Sequence, residues 1–494
     1  MNLKQTLAAA LTVLALPAFA QDAGDALRYS FLSPQGTARS IGFGSALGSV
    51  GGDFTGLSVN PASIGIYRKS EFMVTPFLSV NGADATYQGE GNQDAGARFV
   101  VSNVGAVFTA VPKGRRYKNA SWKAVSFGVG LNRMADFSRN YTYSGLNESN
   151  SASFVFEEDA NSNFNNIDDN TRPAYLGYQS YLLDTFNGGF ISVVNPSQTG
   201  GIRQTNSVNE RGGINELVFS LGGNYQEKLM LGATVGIPLL RYIRERSYTE
   251  DDNSGDNNND FANFTYNEYL KTTGAGLNLK LGAIYRPNEF VRFGAAIHTP
   301  TWYSMTDVSR TSITANTEGF GGTQNIEAPE RQYDYNLTTP WRAILSATGF
   351  LGKNGFVSLD YEYVDYASTR FSFSGSADQQ YERTINQNIR NTYQGASNIR
   401  GGLEIRLDQL ALRAGAGYYG NPYQRTTNGG ERIDLSAGIG FRFAHSFLDL
   451  GYVHRFYDNN EQPYTTGYSN VGAVPTAKLN NSINNVALTV GWKF

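Results

Sequence analysis

The chain ends in the stretch Val486–Phe494, which reads VALTVGWKF. Every second side chain in this stretch is large and apolar, and the side chains between them are small, polar or charged. Alternation with a period of two predicts a β-strand with one apolar and one polar face. Similar alternation recurs within 431–444, 397–408, 355–372 and 265–287, so the chain is predicted to be all-β.

The segments between the predicted strands fall into two classes. Some are tight turns, such as Lys353-Asn354 and Asp408-Gln409, and others are long and polar, such as 251–260, which reads DDNSGDNNND. Short turns at one end and long loops at the other are typical of outer-membrane barrels, whose polar face lines the lumen. A transmembrane barrel is therefore favoured, and an exported soluble β-protein is the alternative, because its strands also alternate.

Composition narrows the function classes. Charged residues make up 17% of the 494 residues, and the net charge is −3. A nucleic-acid partner is not expected, because such a partner calls for a basic surface. The chain has no Cys and only three His, and it shows no nucleophile elbow, zinc-protease motif or P-loop. It is predicted not to be an enzyme and to bind no cofactor or metal.

The first twenty residues read as an export signal. Lys4 is followed by an apolar run over 6–16, then by Pro17 and the tripeptide Ala18-Phe19-Ala20. This order is typical of a cleaved signal peptide, so residues 1–20 are predicted to be removed. No later window approaches the ~20 apolar residues of a membrane-spanning helix. A membrane crossing would then need a closed barrel.

The alternating segments number fourteen. Their predicted spans are 70–88, 97–112, 121–143, 213–227, 229–248, 265–287, 290–312, 330–351, 355–372, 397–408, 410–420, 431–444, 446–457 and 483–494. The predicted fold is a 14-stranded antiparallel transmembrane β-barrel over 69–494, preceded by an N-terminal plug over 21–68. The long loops are predicted to be extracellular, at 144–212, 249–264, 373–396 and 458–482.

Aromatic residues near strand ends are expected to form girdles at the two membrane interfaces. The candidates are Tyr285, Trp302, Tyr303, Trp341, Tyr418, Tyr419 and Trp492. One loop also carries a helical pattern, because the apolar residues of 173–186 recur at helical spacing. That helix could cap the loop, or it could offer a hydrophobic landing site for a ligand.

Residues 21–68 do not alternate and are rich in small residues. They contain Ala38–Gly48, which reads ARSIGFGSALG, and Asn60-Pro61-Ala62. This opening resembles the hatch of the FadL/TodX family of outer-membrane transporters for hydrophobic compounds. Further along, 276–287 (GLNLKLGAIYRP) and 399–404 (IRGGLE) are similar to strands of that family.

The resemblance implies a 14-stranded barrel plugged by a hatch, in agreement with the strand count. It also implies plug-gated uptake of long-chain fatty acids or other hydrophobic small molecules, with lateral release through the barrel wall. The sequence shows no clear periplasm-facing box for an energy-transducing partner beyond residues 21–24, so passive diffusion is expected. A general porin for small polar solutes and a surface adhesin are the alternatives.

Candidate site residues lie in the hatch. Asn60, Pro61 and Ala62 are predicted to form a hatch turn against the barrel wall, with an ordinary Asn-Pro turn as the alternative. The apolar residues of the hatch would either pack the plug or line a ligand pocket; these are Phe43, Phe54 and Ile64.

Two arginines of the hatch could bind a fatty-acid carboxylate, because guanidinium and carboxylate form charge-assisted hydrogen bonds. These are Arg28 and Arg39, and their alternative is a salt bridge to inward-facing Glu404 or Asp360.

The expected partners follow from this interpretation. They are a hydrophobic small-molecule ligand, the lipid and lipopolysaccharide of a Gram-negative outer membrane, and the barrel-assembly machinery. The last of these is suggested by the terminal aromatic residue, Phe494. The protein is expected to be a monomer.

Overall fold

A computed structural model describes residues 23–197, 199–319, 322–375, 378–425, 429–465 and 473–494. The predicted signal peptide, 1–20, lies outside these residues. Within the described ranges, no helix combines the length and the apolar character needed to cross a membrane.

The described residues form twenty-one β-strands. They are β1 (Glu71–Tyr87), β2 (Glu90–Ala110), β3 (Trp122–Asp136), β4 (Arg139–Asn147), β5 (Leu183–Phe186), β6 (Gly189–Ser192), β7 (Ile202–Tyr225), β8 (Leu229–Asp252), β9 (Asn263–Tyr285), β10 (Val291–His298), β11 (Trp302–Thr317), β12 (Gly322–Glu327), β13 (Arg331–Thr338), β14 (Arg342–Phe350), β15 (Gly355–Asp365), β16 (Arg370–Ser372), β17 (Gly395–Leu407), β18 (Leu410–Tyr419), β19 (Gly429–Arg442), β20 (Ser446–Glu461) and β21 (Ala477–Lys493).

These strands close into a barrel. Strands β5, β6 and β12 lie in loops, and four crossings are each built from two consecutive strands, namely β3/β4, β10/β11, β13/β14 and β15/β16. When each of these pairs is counted as one crossing, the wall strands make fourteen crossings. The antiparallel pairing of β21 with β1 closes the wall. The predicted fold class is confirmed.

The alternation that predicted the strands separates lipid-facing from lumen-facing side chains. On β21, Val486, Leu488 and Trp492 are exposed on the outer face, whereas Ala487 and Thr489 are fully buried. The outer face of β8 likewise exposes Leu231, Val235 and Leu239. That of β9 exposes Leu277, Leu279 and Leu281. Apolar side chains on this outer face form the band expected to contact lipid.

The girdle prediction is partly wrong. Trp302 and Tyr418 are exposed on the outer face, but their neighbours Tyr303 and Tyr419 are 3% exposed and point into the barrel. Adjacent residues of a strand face opposite sides, so an aromatic pair cannot lie wholly in the girdle. Exposed positions also include Tyr285, Trp341 and Trp492.

The strands extend further from the membrane than the predicted spans. β7 begins at Ile202 rather than at 213, β8 continues to Asp252, and β20 to Glu461. The predicted loops 144–212, 249–264 and 458–482 are correspondingly shorter. Beyond the bilayer both faces of a strand meet polar surroundings, so the alternation fades, while neighbouring strands still supply backbone hydrogen-bond partners.

Helices cover the end of the barrel that bears the long loops. In the loop after β4, the helices α5 (Ser153–Ser162) and α6 (Pro173–Gln179) pack with the hairpin β5–β6 over an apolar cluster. The helix predicted over 173–186 therefore stops at Gln179, and Tyr181 adopts a positive φ before β5. A longer helix, α7 (Gln379–Thr392), crosses the loop between β16 and β17.

The hatch precedes β1 and is folded from short elements. Helix α1 (Ala23–Ser30) is followed by α2 (Ala38–Gly42), α3 (Gly56–Val59) and a 3-10 helix over Pro61–Ile66. Thr37 caps α2, because its hydroxyl accepts a hydrogen bond from the backbone N–H of Ser40 at 3.1 Å. A fourth helix, α4 (Arg115–Asn119), lies in the turn between β2 and β3.

Candidate ligand-binding cavity and lateral opening

The turn at Asn60 and Pro61 contacts the barrel wall. The Asn60 side-chain amide donates to the carbonyl of Gly48 at 2.6 Å and to that of Ala283, on β9, at 3.2 Å. A Cβ placed on Gly282 would lie 1.9 Å from Asn60 Oδ1, and one on Gly232 would lie 2.3 Å from the Pro61 carbonyl oxygen. Glycine in the wall is thus what permits this contact.

The predicted hatch apolar residues sit against the wall in the same way. Phe43, Phe54 and Ile64 are completely buried, and Ala62, in the same 3-10 turn as Ile64, packs against Met230 and Ile284 of the wall. Glycines of the wall permit this approach: a Cβ on Gly402 would lie 1.9 Å from the carbonyl oxygen of Phe43, and one on Gly105 would lie 2.5 Å from the ring of Phe54. These residues pack the plug and do not line the cavity described below.

Buried ion pairs fasten the hatch to the wall. Arg39 Nε lies 3.0 Å from Glu404 Oε2, and Arg413 Nε contacts the same oxygen at 2.7 Å. Arg413 also pairs with Asp449 at 2.7 Å. Arg39 therefore forms the salt bridge that was the alternative to ligand binding. Removing one partner from a buried pair of this kind leaves an uncompensated charge, at a typical cost of about 3–5 kcal/mol.

Polar side chains of the wall hold the hatch backbone at further points. Asp360 accepts a hydrogen bond from the backbone N–H of Gly48 at 2.9 Å, and Thr489 accepts one from Ala38 at 2.7 Å. Thr234 donates to the carbonyl of Leu57 at 2.9 Å. The hatch from α2 onward is thereby fixed to strands on several sides of the barrel.

Above the fixed part of the hatch lies a cavity of about 400 Å³, between α1 and the wall. This volume is within the usual range for small-molecule sites, roughly 300–1,000 Å³. Its aliphatic and aromatic lining is contributed by Leu27, Phe31, Phe137, Tyr457 and Ile483. The elements around it include α1, β1, β7 and β19–β21, so residues far apart in sequence form one site.

Charged side chains share the lining with these apolar groups. Arg28 faces the cavity from α1, pairs with Asp25, lies 3.8 Å from Glu210, and stacks 4.5 Å from the ring centre of Tyr242. On the opposite wall, Arg432 stacks 3.8 Å from the ring centre of Tyr419. Of the predicted site residues, only Arg28 lines the cavity.

The barrel wall is interrupted beside this cavity. The ladder between β2 and β3 ends at the pair Asn103–Asn132. Above it the chain bends through Phe137 and Ser138, both of which line the cavity, and β4 pairs with β7 alone. In the described structure, the upper half of β2 therefore has a ladder with β1 but none with β4.

The start of β4 lies close to β2 through side chains rather than through a ladder. A Cβ on Gly96 would lie 3.3 Å from the Asn140 side-chain carbon. The lumen-facing residues of β2 at this level, among them Asp94, Gly96 and Arg98, are only half-buried. An unpaired strand edge in a membrane wall is tolerated only where it borders protein or a cavity.

Sequence comparison assigns no relative: no family model matches the chain, and no curated protein matches it. Solved structures do match. A FadL homologue of Pseudomonas aeruginosa superposes with a TM-score of 0.55 at 12% identity, covering 94% of this chain and 100% of that one. The toluene transporter TodX of P. putida gives 0.52 at 14% identity, covering 92% and 98%.

At such low identity the likeness concerns the fold. Both matches extend over nearly the whole of each chain, so barrel and hatch are included together. The family resemblance of the sequence is confirmed at this level. This chain has the fold of the FadL homologue and of TodX, a fourteen-stranded β-barrel with its N-terminal segment folded inside the lumen.

Proposed function

We propose that the protein admits hydrophobic small molecules, such as long-chain fatty acids, through the outer membrane by passive diffusion. The observation that carries this proposal is the cavity between α1 and the wall, which lies directly beside the interruption between β2 and β4. A molecule that leaves the cavity there would enter the bilayer without crossing the hatch. One of the matching structures is a toluene transporter, which supports a hydrophobic ligand.

The composition of the cavity favours an amphipathic ligand. Apolar side chains from α1 and β20 would contact an acyl chain or a ring, and burying such a surface contributes about 25 cal/mol per Å². Arginine side chains in the same cavity could receive an acidic group. A mixed site of this kind would bind a fatty acid more tightly than a sugar or an inorganic ion.

The seated hatch argues against the porin alternative. Hatch residues such as Phe43, Phe54 and Leu57 are fully buried. Hydrogen bonds and ion pairs also join the hatch to the wall. A general porin leaves a water-filled channel along its axis. Gating in the proposed mechanism would involve α1 and the bend of β3/β4, since the rest of the hatch is fixed.

Filling the cavity should abolish ligand binding. Ser79 is a buried residue of β1 that lines the cavity, so Ser79→Phe would place a ring in the ligand's space. We expect loss of saturable binding of a fluorescent fatty acid to the purified protein. Ala97→Phe is the matched control, because Ala97 lies on the exposed face of β2 and its ring would point to lipid. Equal binding by both variants would contradict the assignment of the cavity.

Arg28 should discriminate acidic from neutral ligands. Replacing it by methionine keeps an unbranched side chain and removes the charge. We expect affinity for a long-chain fatty acid to fall about tenfold, which corresponds to about 1.4 kcal/mol, the scale of one charge-assisted hydrogen bond. Affinity for the fatty alcohol of equal length should be unchanged.

The control for this experiment is Arg68→Met, since Arg68 pairs with Glu227 at 2.8 Å outside the cavity. If the acid and the alcohol lose affinity equally in the Arg28 variant, Arg28 stabilises α1 and does not bind the acidic group of the ligand.

A further inference from the structure

The outer face of the barrel carries a group of cations directly above its apolar band. On β8 the outward residues run through Leu231, Val235 and Leu239, and the next outward position is Arg241, which is exposed. On the neighbouring β9, Lys271 lies on the outward face above Leu277. Both residues lie towards the end of the barrel that bears the long loops, which is the outer-leaflet side.

The strand register brings these two cations together. Arg241 is the direct cross-strand partner of Thr273, and Lys271 is the next outward residue on the same strand as that threonine. Diagonal neighbours of this kind are separated by about 7–8 Å, within reach of long side chains. The guanidinium, the ammonium and the threonine hydroxyl can therefore converge on one group lying against the wall.

The charged side chains near Arg241 and Lys271 are paired with other residues. Arg211 is held by Glu245 in a bidentate pair at 2.6 and 2.8 Å, and Arg310 by Glu330 at 2.5 Å. Asp334 accepts a hydrogen bond from a threonine hydroxyl at 2.6 Å. Among the described residues, the side chains of Arg241 and Lys271 have no hydrogen-bond or ion-pair partner.

On the far side of the barrel, three outward positions above the apolar band are acidic. There the outward rows above the apolar residues reach Asp84 on β1, Glu431 on β19 and Asp458 on β20, all exposed. Trp302, which is 53% exposed and is the cross-strand partner of Leu277, marks the membrane interface beside the cations. The pair Arg241 and Lys271 is thus continuous with the lipid-facing surface.

We propose that Arg241, Lys271 and Thr273 bind a phosphate of the lipid A headgroup of lipopolysaccharide. Phosphate is the anion that a guanidinium and an ammonium recognise together, the former through two parallel hydrogen bonds. Acyl chains attached to that headgroup would lie against the apolar band below. The inference rests on the outer-membrane location in the proposed function, but not on transport.

The test measures lipid A binding to the purified full-length protein by native mass spectrometry and by thermal shift in detergent. Two cations near a charged lipid surface contribute about 1 kcal/mol each, so Arg241→Gln/Lys271→Gln should weaken binding about 30-fold. Arg241→Lys/Lys271→Arg should retain most of the affinity. Lys478→Gln, an exposed outward lysine on β21, should bind as the unmodified protein does.

A lipid A stripped of its phosphates supplies the decisive comparison. It should bind the unmodified protein as weakly as phosphorylated lipid A binds the double glutamine variant. Equal binding of the two lipids, or undiminished binding by that variant, would overturn the proposal. Fatty-acid binding in the cavity should be the same in all variants, so failure of the lipid site and failure of the transport proposal can be told apart.

Discussion

Removing the hatch should convert a closed barrel into an ion-conducting one. Deletion of residues 21–65 takes away the segment that packs between Gly402, Gly282 and the other close wall positions. Strands β1–β21 still close the wall without it, because β1 pairs with β21 independently of the hatch. In planar lipid bilayers we expect near-zero conductance from the full chain and large, steady single-channel steps from the deletion variant.

A point substitution tests the same idea without a deletion. Gly402→Leu forces a side chain into the backbone of Phe43, so the hatch cannot remain seated and conductance should rise. Gly401→Leu is the matched control, since a Cβ there meets its nearest atoms only at 3.9 Å. If neither the deletion nor Gly402→Leu conducts more than this control, the hatch does not seal the barrel.

Locking the wall interruption should stop uptake and leave binding intact. The chain has no cysteine, so a pair introduced as Gly96→Cys/Asn140→Cys would form the sole disulfide. Asn140 Cγ, which lies about where the sulfur of a cysteine would lie, is 3.3 Å from the Cβ position of residue 96, so the two cysteines would be close enough to bridge. We expect fatty-acid uptake by cells to fall to background under oxidising conditions and to recover on reduction.

The control pair is Ser144→Cys/Thr205→Cys, which links β4 to β7, strands that are already joined by a ladder. Uptake should be insensitive to oxidation in this variant. Fatty-acid binding to the purified protein should persist in both pairs. Uptake that continues through the oxidised Gly96/Asn140 pair would exclude the opening between β2 and β4 as the exit.

The part of the fold that faces lipid was predictable residue by residue. Alternation in 486–494 identified Leu488 and Trp492 as outward and Thr489 as inward, because the two faces of a membrane strand meet opposite environments. The girdle prediction is wrong for Tyr303 and Tyr419, because an aromatic residue near a strand end faces lipid only if its position along the strand is outward. The Asn60-Pro61-Ala62 sequence indicated a turn, whereas its contact with the wall at Gly282 is seen only in the tertiary structure.

The cavity was not predictable in the same way. Arg28 and Arg39 belong to one short segment, yet only Arg28 reaches the cavity, while Arg39 is held by Glu404. The other arginines of the lining, Arg139, Arg432 and Arg455, lie on wall strands and were missed. The strand alternation places these three arginines on the inward face, which is a signal that the sequence offers. Inward arginines elsewhere in the wall form purely structural ion pairs, so an inward position alone does not identify a cavity residue.

The sequence by itself determined that the chain is a fourteen-stranded barrel with a small-residue segment ahead of it. Those properties follow from local patterns, namely a period of two, turn length and glycine content. Only the tertiary structure decided where the wall is interrupted and where the cavity lies. Both depend on which strands find ladder partners after closure, and pairing between distant segments is a property of the assembled barrel rather than of any one stretch of residues.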